Sequence, residues 1–401
     1  MNIASVAVIR TSQEKIFEGV QKAIDAVGGI GNYVKTGQVV HLKPNLVYPY
    51  PPPLTTDPRV IRSVAKLCKE AGARKVIIGD SSAYSRKAGL GTGQWTNKWV
   101  IEQLGIMEVA AETGSEVVDF DTGEWVTVRI PDGIILREVP VAKSLLDADV
   151  VINIPVMKSH LETIASLGLK NYHGIIPDDW KVQWHKDEIS QKIVDIHKVV
   201  HTDLVVMDAI TAMEGLGPRL GGPVKMDLIL ASADTVALDA VAAEIMGYGA
   251  GEIEATRLAA AQGLGIRDLS QIEVIGETID SVRKQFRRPD LRIEGIYPGF
   301  TIIKGGPCQH CYGRAKIFIE ALIDAKLPDN AGIHTIVLGI NPRQPELYEI
   351  EGSVAFIGDC AISTCANFRY GLGQRAISVD GCPPIASVHR VMDTLKETYR
   401  S

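Results

Sequence analysis

At 401 residues, with 46% hydrophobic and 22% charged residues, the chain has the make-up of a folded globular protein long enough for two or three domains. Its formal net charge of −6 includes no block of like charge, so the basic face of a general nucleic-acid binder is missing. No stretch approaches the roughly 18 apolar residues of a membrane span, and MNIASVAVIR carries no basic-then-apolar signal, so a cytoplasmic protein that meets neither nucleic acid nor membrane is expected.

In chain order, β-branched apolar runs alternate with amphipathic helical patterns. Segments 5–10, 39–44, 75–80, 115–120, 149–156, 203–210, 228–232 and 272–277 read as strands whose continuous apolar character suits parallel pairing, buried on both faces. Helical patterns at 58–72 and 235–247 lie between them, and this rhythm predicts an α/β fold with a doubly wound, mostly parallel sheet. Thr56-Asp57-Pro58 offers a capping side chain and a first-turn proline for one helix; Ser232 to Thr235 caps the other, and Gly247 closes it. Segment 125–141 reads as a hairpin turning at Pro131-Asp132-Gly133 and is expected to extend one sheet edge. The basic stretch Arg287-Arg288-Pro289 marks a linker between an α/β core of residues 1–290, divisible into lobes at about 1–148 and 149–290, and a smaller cysteine-bearing α/β domain over 296–401.

Of six cysteines, Cys68 stands alone while Cys308, Cys311, Cys360, Cys365 and Cys382 crowd the C-terminal quarter, a pattern that in a reducing compartment reads as metal binding. Strands FTIIK, SVAFI and RAISVD each lead into a cysteine loop, and loops after the carboxyl ends of parallel strands converge on one crevice. Glycines 305, 306, 358 and 381 let backbone approach an inorganic centre. Four thiolates suit a [4Fe-4S] cluster or zinc; one close pair plus singletons from separate strands favours the cluster. Cys365 is a spare thiol, an alternative ligand or a small core residue, and Cys68, spaced with Val64 and Leu67, reads as a buried hydrophobe.

The same strand-end rule marks a second set: Lys43 and Asn45, Asp80 to Ser82, Lys158 to His160, Lys170 and Asn171, Asp208 and Glu214. Lysines seldom interrupt apolar strands. Lys43, Lys158 and Lys170 are therefore candidates to bind a carboxylate or phosphate, with Asn45, Asn171, Asp80 and Glu214 completing the site. His160 and His185 are candidates for proton transfer or a metal, and Asp208 for catalysis or for pairing with a lysine. His173 is weighed beside them, whereas His197, His201 and Asp239 read as structural. No phosphate loop, nucleophile elbow or H-E-x-x-H pair is present, and the lone string Gly89-x-Gly91-x-Gly93 is discounted.

At LKPNLV, TTDPRVIRSV, KVIIGDSS, VINIPVMKSH, GLKNYHGIIP, VVMDAITAMEGLGP and DTVALDAVAAEIMG the chain resembles domain-of-unknown-function family 362, over most of residues 39–265. The likeness of C-x-x-C, G-x-C and GCPP to that family's C-terminal region implies Cys308, Cys311, Cys360 and Cys382 as cluster ligands and leaves Cys365 outside. Many relatives carry a separate two-cluster ferredoxin segment that this chain lacks, which puts a multi-cluster relay in doubt. More distantly, the architecture is similar to the lactate racemase family, implying two lobes around a small hydroxy- or carboxy-acid. The expectation is an iron–sulfur protein of unassigned activity, an oxidoreductase, isomerase or lyase acting on a small anionic molecule, with a redox partner protein and self-assembly into a homo-oligomer left open. The rivals are a non-catalytic electron-transfer, maturation or sensor protein, and an enzyme with a structural zinc.

Overall fold

The computed structural model describes residues 3–81, 96–185, 187–325, 332–342, 350, 352–382 and 384–398. Ser82 and the glycine string 89–93 lie outside the described residues. The chain divides into two compact units, with the division between Pro289 and Asp290. No described helix is long and apolar enough to cross a membrane.

In the first unit the strands are β1 (Ala4–Arg10), β2 (Val39–Pro44), β3 (Lys75–Asp80), β4 (Glu116–Asp119), β5 (Trp125–Arg129), β6 (Glu138–Ala142), β7 (Val150–Ile154), β8 (Val156–His160), β9 (Ile164–Ser166), β10 (Leu204–Leu216), β11 (Leu220–Ser232) and β12 (Ile272–Gly276). Ten of them form one sheet in the order β12-β1-β11-β10-β7-β2-β3-β4, with β8 beside β10 and β9 beside β8. The block β10-β7-β2-β3-β4 is parallel throughout. Val150–Ile154 is buried along its whole length, as the two-sided apolar run predicts. The chain runs from β2 outward through β3 to β4, then returns to β7 on the other side of β2. That reversal makes the carboxyl ends of β2 and β7 the topological switch point of the sheet, where α/β folds open a crevice.

Two helix starts follow their capping residues. Asp57 accepts from Arg59 N with Pro58 in the first turn of the helix Pro58–Glu70, and Asp234 accepts from Ala237 N to open Thr235–Ile245. Gly247, at φ +74°, takes the left-handed conformation that closes the latter.

Three expectations about strands are corrected. The single strand expected at 149–156 is broken at Pro155, which has no amide to donate; β7 pairs with β2, and β8 swings over to β9 and β10. The segments around 203–210 and 228–232 are the roots of one long antiparallel hairpin, β10 with β11. Its outer arms, GLGPRLGGP, are poor in β-formers, so pairing with the partner strand rather than local preference extends the ladder there. The hairpin β5–β6 forms, but as its own two-stranded ribbon, not as an edge of the main sheet. The cause is a tether: the Asp195 carboxylate accepts from the amides of Ile134, Ile135 and Leu136 at 2.9, 2.7 and 2.9 Å, drawing the turn onto the helix Ile189–Ile196. Ile130, Leu136, Val139 and Val141 then pack with Tyr172, Trp184 and Ile193.

The second unit carries β13 (Thr301–Gly305), β14 (Ile333–Gly339), β15 (Ser353–Ile357) and β16 (Ala376–Val379) in sequence order, all parallel. Strand β14 carries an apolar run but no cysteine, and adds a fourth strand to the three expected. The helix Gln309–Asp324 follows the first cysteine loop, and Ile385–Thr398 follows the last.

Candidate functional site

The carboxyl ends of β2, β3 and β8 place the interrupting lysines together. Lys43 is fully buried and its ammonium lies 2.7 Å from Asp80 Oδ1. Asp80 also accepts from Leu46 N and Ser81 N, so its carboxylate is tied to both strand ends. Gly174 caps the pair: a Cβ there would sit 2.4 Å from Asp80 Oδ1 and 2.8 Å from Lys43 Nζ, so only glycine lets the backbone approach so closely. Lys158 Nζ donates to Asn45 Oδ1 at 2.8 Å and to the Leu54 carbonyl at 2.9 Å. Asn45 donates to Asn171 Oδ1, and Asn171 donates to Asn153 Oδ1 and the Lys43 carbonyl, closing a network across the switch point.

Electrostatics here are governed by burial. Desolvation lowers the Lys43 ammonium below its ordinary range, and Asp80 offsets part of that. Lys158 is lowered to about 7 by burial, with the charge of Lys170 adding to the effect. Lys181 stays above its ordinary value despite burial, because Asp178 (2.8 Å away), Asp121 and Asp80 favour its charge. Among the described residues Lys43 and Lys181 each pair with a carboxylate, whereas Lys158 donates to an amide oxygen and a backbone carbonyl.

Beside these lysines lies a group of imidazoles. His160 Nδ1 accepts from the amides of Glu162 and Thr163 at 3.1 and 3.4 Å. His185 Nδ1 donates to the Lys181 carbonyl at 2.7 Å, and its Nε2 lies 3.2 Å from Glu162 Oε2. His173 stands edge-on to His185, with ring centroids 4.6 Å apart, and burial together with Lys170 holds it well below its ordinary value. Lys181 bridges the two groups, since its carbonyl meets His185 and its ammonium meets Ser81, whose hydroxyl donates to Gly174 O.

Other candidates lie apart. Asp208 is fully buried and accepts from Asp57 N and Ile210 N; burial raises its carboxyl to about 7. Among the described residues its hydrogen-bond donors are amides, not a lysine. Glu214 accepts from the amide and guanidinium of Arg287, near the end of the unit, and is bound up there rather than in the lysine network. Asp239 takes the amides of Gly168 and Leu169, anchoring the short helix Gly168–Asn171 that carries Lys170. His197 stacks on Tyr172 and bonds the Leu169 carbonyl, while His201 is exposed. Sequence reasoning passed over Glu162, Lys181 and Asn153. Glu162 stands two residues after His160, the one local signal that pointed to it.

In the second unit, Cys308 precedes the helix Gln309–Asp324 and Cys311 lies in its first turn. Gly358, at φ +88°, leaves room for Cys311 Sγ, which would stand 2.8 Å from a Cβ there. The loops after β15 and β16 are laced by Asp359 N to Gly381 O at 3.1 Å and Gly381 N to Asp359 Oδ1 at 2.7 Å. Cys308 is held down to about 5 by the hydrogen bond from the Cys311 thiol. Cys311 is pushed well up by that bond, by burial, and by the charges of Cys308, Cys360 and Cys382. Cys365 instead packs with Phe356, Ala361 and Leu372 in the hydrophobic core of the unit, and burial raises its thiol. Cys68 is buried in its helix, raised to about 12 by desolvation.

A family model described as domain of unknown function (DUF362) matches residues 40–244, half of the chain. The thylakoid-associated protein sll1697 of Synechocystis sp. is 32% identical over 255 residues, covering 61% of this chain and 75% of that protein. Among solved structures, the lactate racemase apoprotein from Thermoanaerobacterium thermosaccharolyticum aligns at 14% identity and a TM-score of 0.38, over 63% of this chain and 58% of its own. A Thermotoga maritima protein aligns at 14% identity and a TM-score of 0.36, over 95% of this chain and 82% of its own. By the extent of the family match and the identity to the Synechocystis protein, the chain belongs to the DUF362 family.

Proposed function

We propose that this protein is an iron–sulfur protein that binds and acts on a small carboxylate or phosphate. The observation that carries the reading is the buried Lys158 ammonium at the switch point, which among the described residues donates to Asn45 and the Leu54 carbonyl and is lowered to about 7, close to the Lys43–Asp80 pair. An anion entering there would exchange water for charge-assisted hydrogen bonds from Lys158 and Lys170, with Asn45 and Asn171 orienting it. A bound anion also restores the charge that burial removes from Lys158.

The cysteine part of the proposal assigns a [4Fe-4S] cluster to Cys308, Cys311, Cys360 and Cys382. It is supported by the electrostatic effect of the other three on Cys311 and by the space that Gly358 leaves at its sulfur. Zinc is the alternative. Tetrahedral zinc with bonds of about 2.3 Å needs sulfurs about 3.8 Å apart, whereas among the described residues no three of these sulfurs form a group within 4.8 Å of one another. Bound there, a cluster supplies one-electron transfer or a Lewis-acidic iron. The reading includes a cytoplasmic setting and a redox partner protein.

Anaerobic purification should yield brown protein with iron and acid-labile sulfide. The colour should be lost in Cys308→Ser and Cys382→Ser and kept in Cys365→Ser. For the anion site, a thermal-shift screen of carboxylates and phosphates should find ligands that stabilise the wild type and not Lys158→Met. Equal shifts in both proteins, or none in either, remove the support for the anion site.

A further inference from the structure

We propose that His160, Glu162 and His185 bind a divalent transition-metal ion in the first unit, a site separate from the cysteines and independent of the anion reading. One ligand-capable atom of each lies within 4.8 Å of those of the other two, and all three side chains are buried. Two imidazoles and a carboxylate are a donor set that zinc and neighbouring first-row divalent ions take, at about 2.0–2.2 Å. Tetrahedral bonds of that length set ligand atoms about 3.4 Å apart, so atoms that lie within 4.8 Å of one another close by up to about 1.4 Å on binding.

The hydrogen bonding points the same way. The Lys181 carbonyl can only accept, so the His185 proton sits on Nδ1 and the lone pair on Nε2. That lone pair faces the Glu162 carboxylate across 3.2 Å. Two electron-rich atoms this close favour a cation or a proton on or between them. A backbone carbonyl that fixes the far nitrogen of an imidazole is also the usual way in which ligating histidines are oriented. His160 receives the amides of Glu162 and Thr163 at Nδ1, at 3.1 and 3.4 Å, which places its lone pair there, so ligation by His160 through Nδ1 has to displace those two amides. His173 stands against His185, and its Nε2 is buried with no hydrogen-bond partner among the described residues, so a third imidazole is at hand. Three protein ligands leave a position open for water or for an oxygen of the substrate, as in catalytic rather than structural zinc sites. The competing occupant is a proton shared by His185 and Glu162, and the two differ in what they retain on dialysis.

The test uses metal-stripped full-length protein in which Cys308, Cys311, Cys360 and Cys382 are all replaced by serine, silencing the cysteine site. Zn²⁺ is titrated against a chromophoric chelator, and the melting temperature is followed in parallel. One equivalent should bind and raise the melting temperature, with affinity falling by at least about 100-fold in His185→Gln and about 10-fold or more in Glu162→Gln. If His185→Gln does not fold, His160→Gln takes its place. Should the serine background itself not fold, Co²⁺ is added to the otherwise wild-type chain, where a nitrogen–oxygen site gives d–d bands without thiolate charge transfer. Absence of a Zn²⁺-dependent shift in the parent, or undiminished affinity in Glu162→Gln and His160→Gln, overturns the assignment. A shared proton leaves no bound metal and gives the first of these results.

Discussion

Lys158 is the residue on which pH dependence turns. Its folded value of about 7 lies below the 10.5 of the unfolded lysine, so unfolding takes up a proton between those values. Burial of Lys158 therefore costs stability below about pH 7, and that cost is relieved as pH rises towards about 10. The wild type should gain stability relative to Lys158→Met across that window, as read by urea unfolding at a series of pH values; a pH-independent difference would contradict the assignment. Anion binding should run the other way, tight below about pH 7 and weakening as Lys158 loses its proton. Asp208 supplies a contrary trend. Its folded value of about 7 lies above the unfolded 3.8, so its contribution falls as pH rises from about 4 to about 7. Asp208→Asn should flatten that segment of the stability curve while losing one of the two amide bonds, at about 1–2 kcal/mol.

Among elements, the clearest single constraint is the tether on the β5–β6 ribbon. Burial pushes the Asp195 carboxyl up, yet three backbone amides and Gln191 hold it below its ordinary value, so the ionised form is the one that binds the turn. Asp195→Ala leaves three amides without their acceptor and should cost about 2–4 kcal/mol, with hydrogen exchange rising first at residues 134–136. Exchange unchanged at those amides would show that the apolar packing of Val139 and Val141 alone holds the ribbon. The hairpin itself was readable from alternation around Pro131-Asp132-Gly133. Its place was not, because Asp195 lies some sixty positions away in sequence.

For the molecule as a whole, each unit has a core of its own, that of the second built around Ile303, Val337, Val354 and Phe356. If the cluster joins the loops after β13, β15 and β16, its loss should be felt in that unit. Hydrogen exchange should then show that, relative to the cluster-loaded wild type, Cys308→Ser weakens protection in β13, β15 and β16 and leaves β2, β3 and β7 as they were. Weakened protection in both units would mean that the thiols stabilise more than their own loops.

Local chemistry alone determined the α/β class, the parallel core strands and two helix starts, because β-branched runs and capping residues act over a few residues. It also singled out Lys43, Lys158 and Lys170, since a lysine within an apolar run stands out without knowledge of its neighbours. Only the tertiary structure decided that β10 and β11 form one hairpin, that Glu214 is taken by Arg287, and that Glu162 and Lys181 belong beside His185. Those outcomes depend on which distant backbone comes to lie alongside, and a polar residue in a short loop carries no mark of the partner that the fold will bring to it.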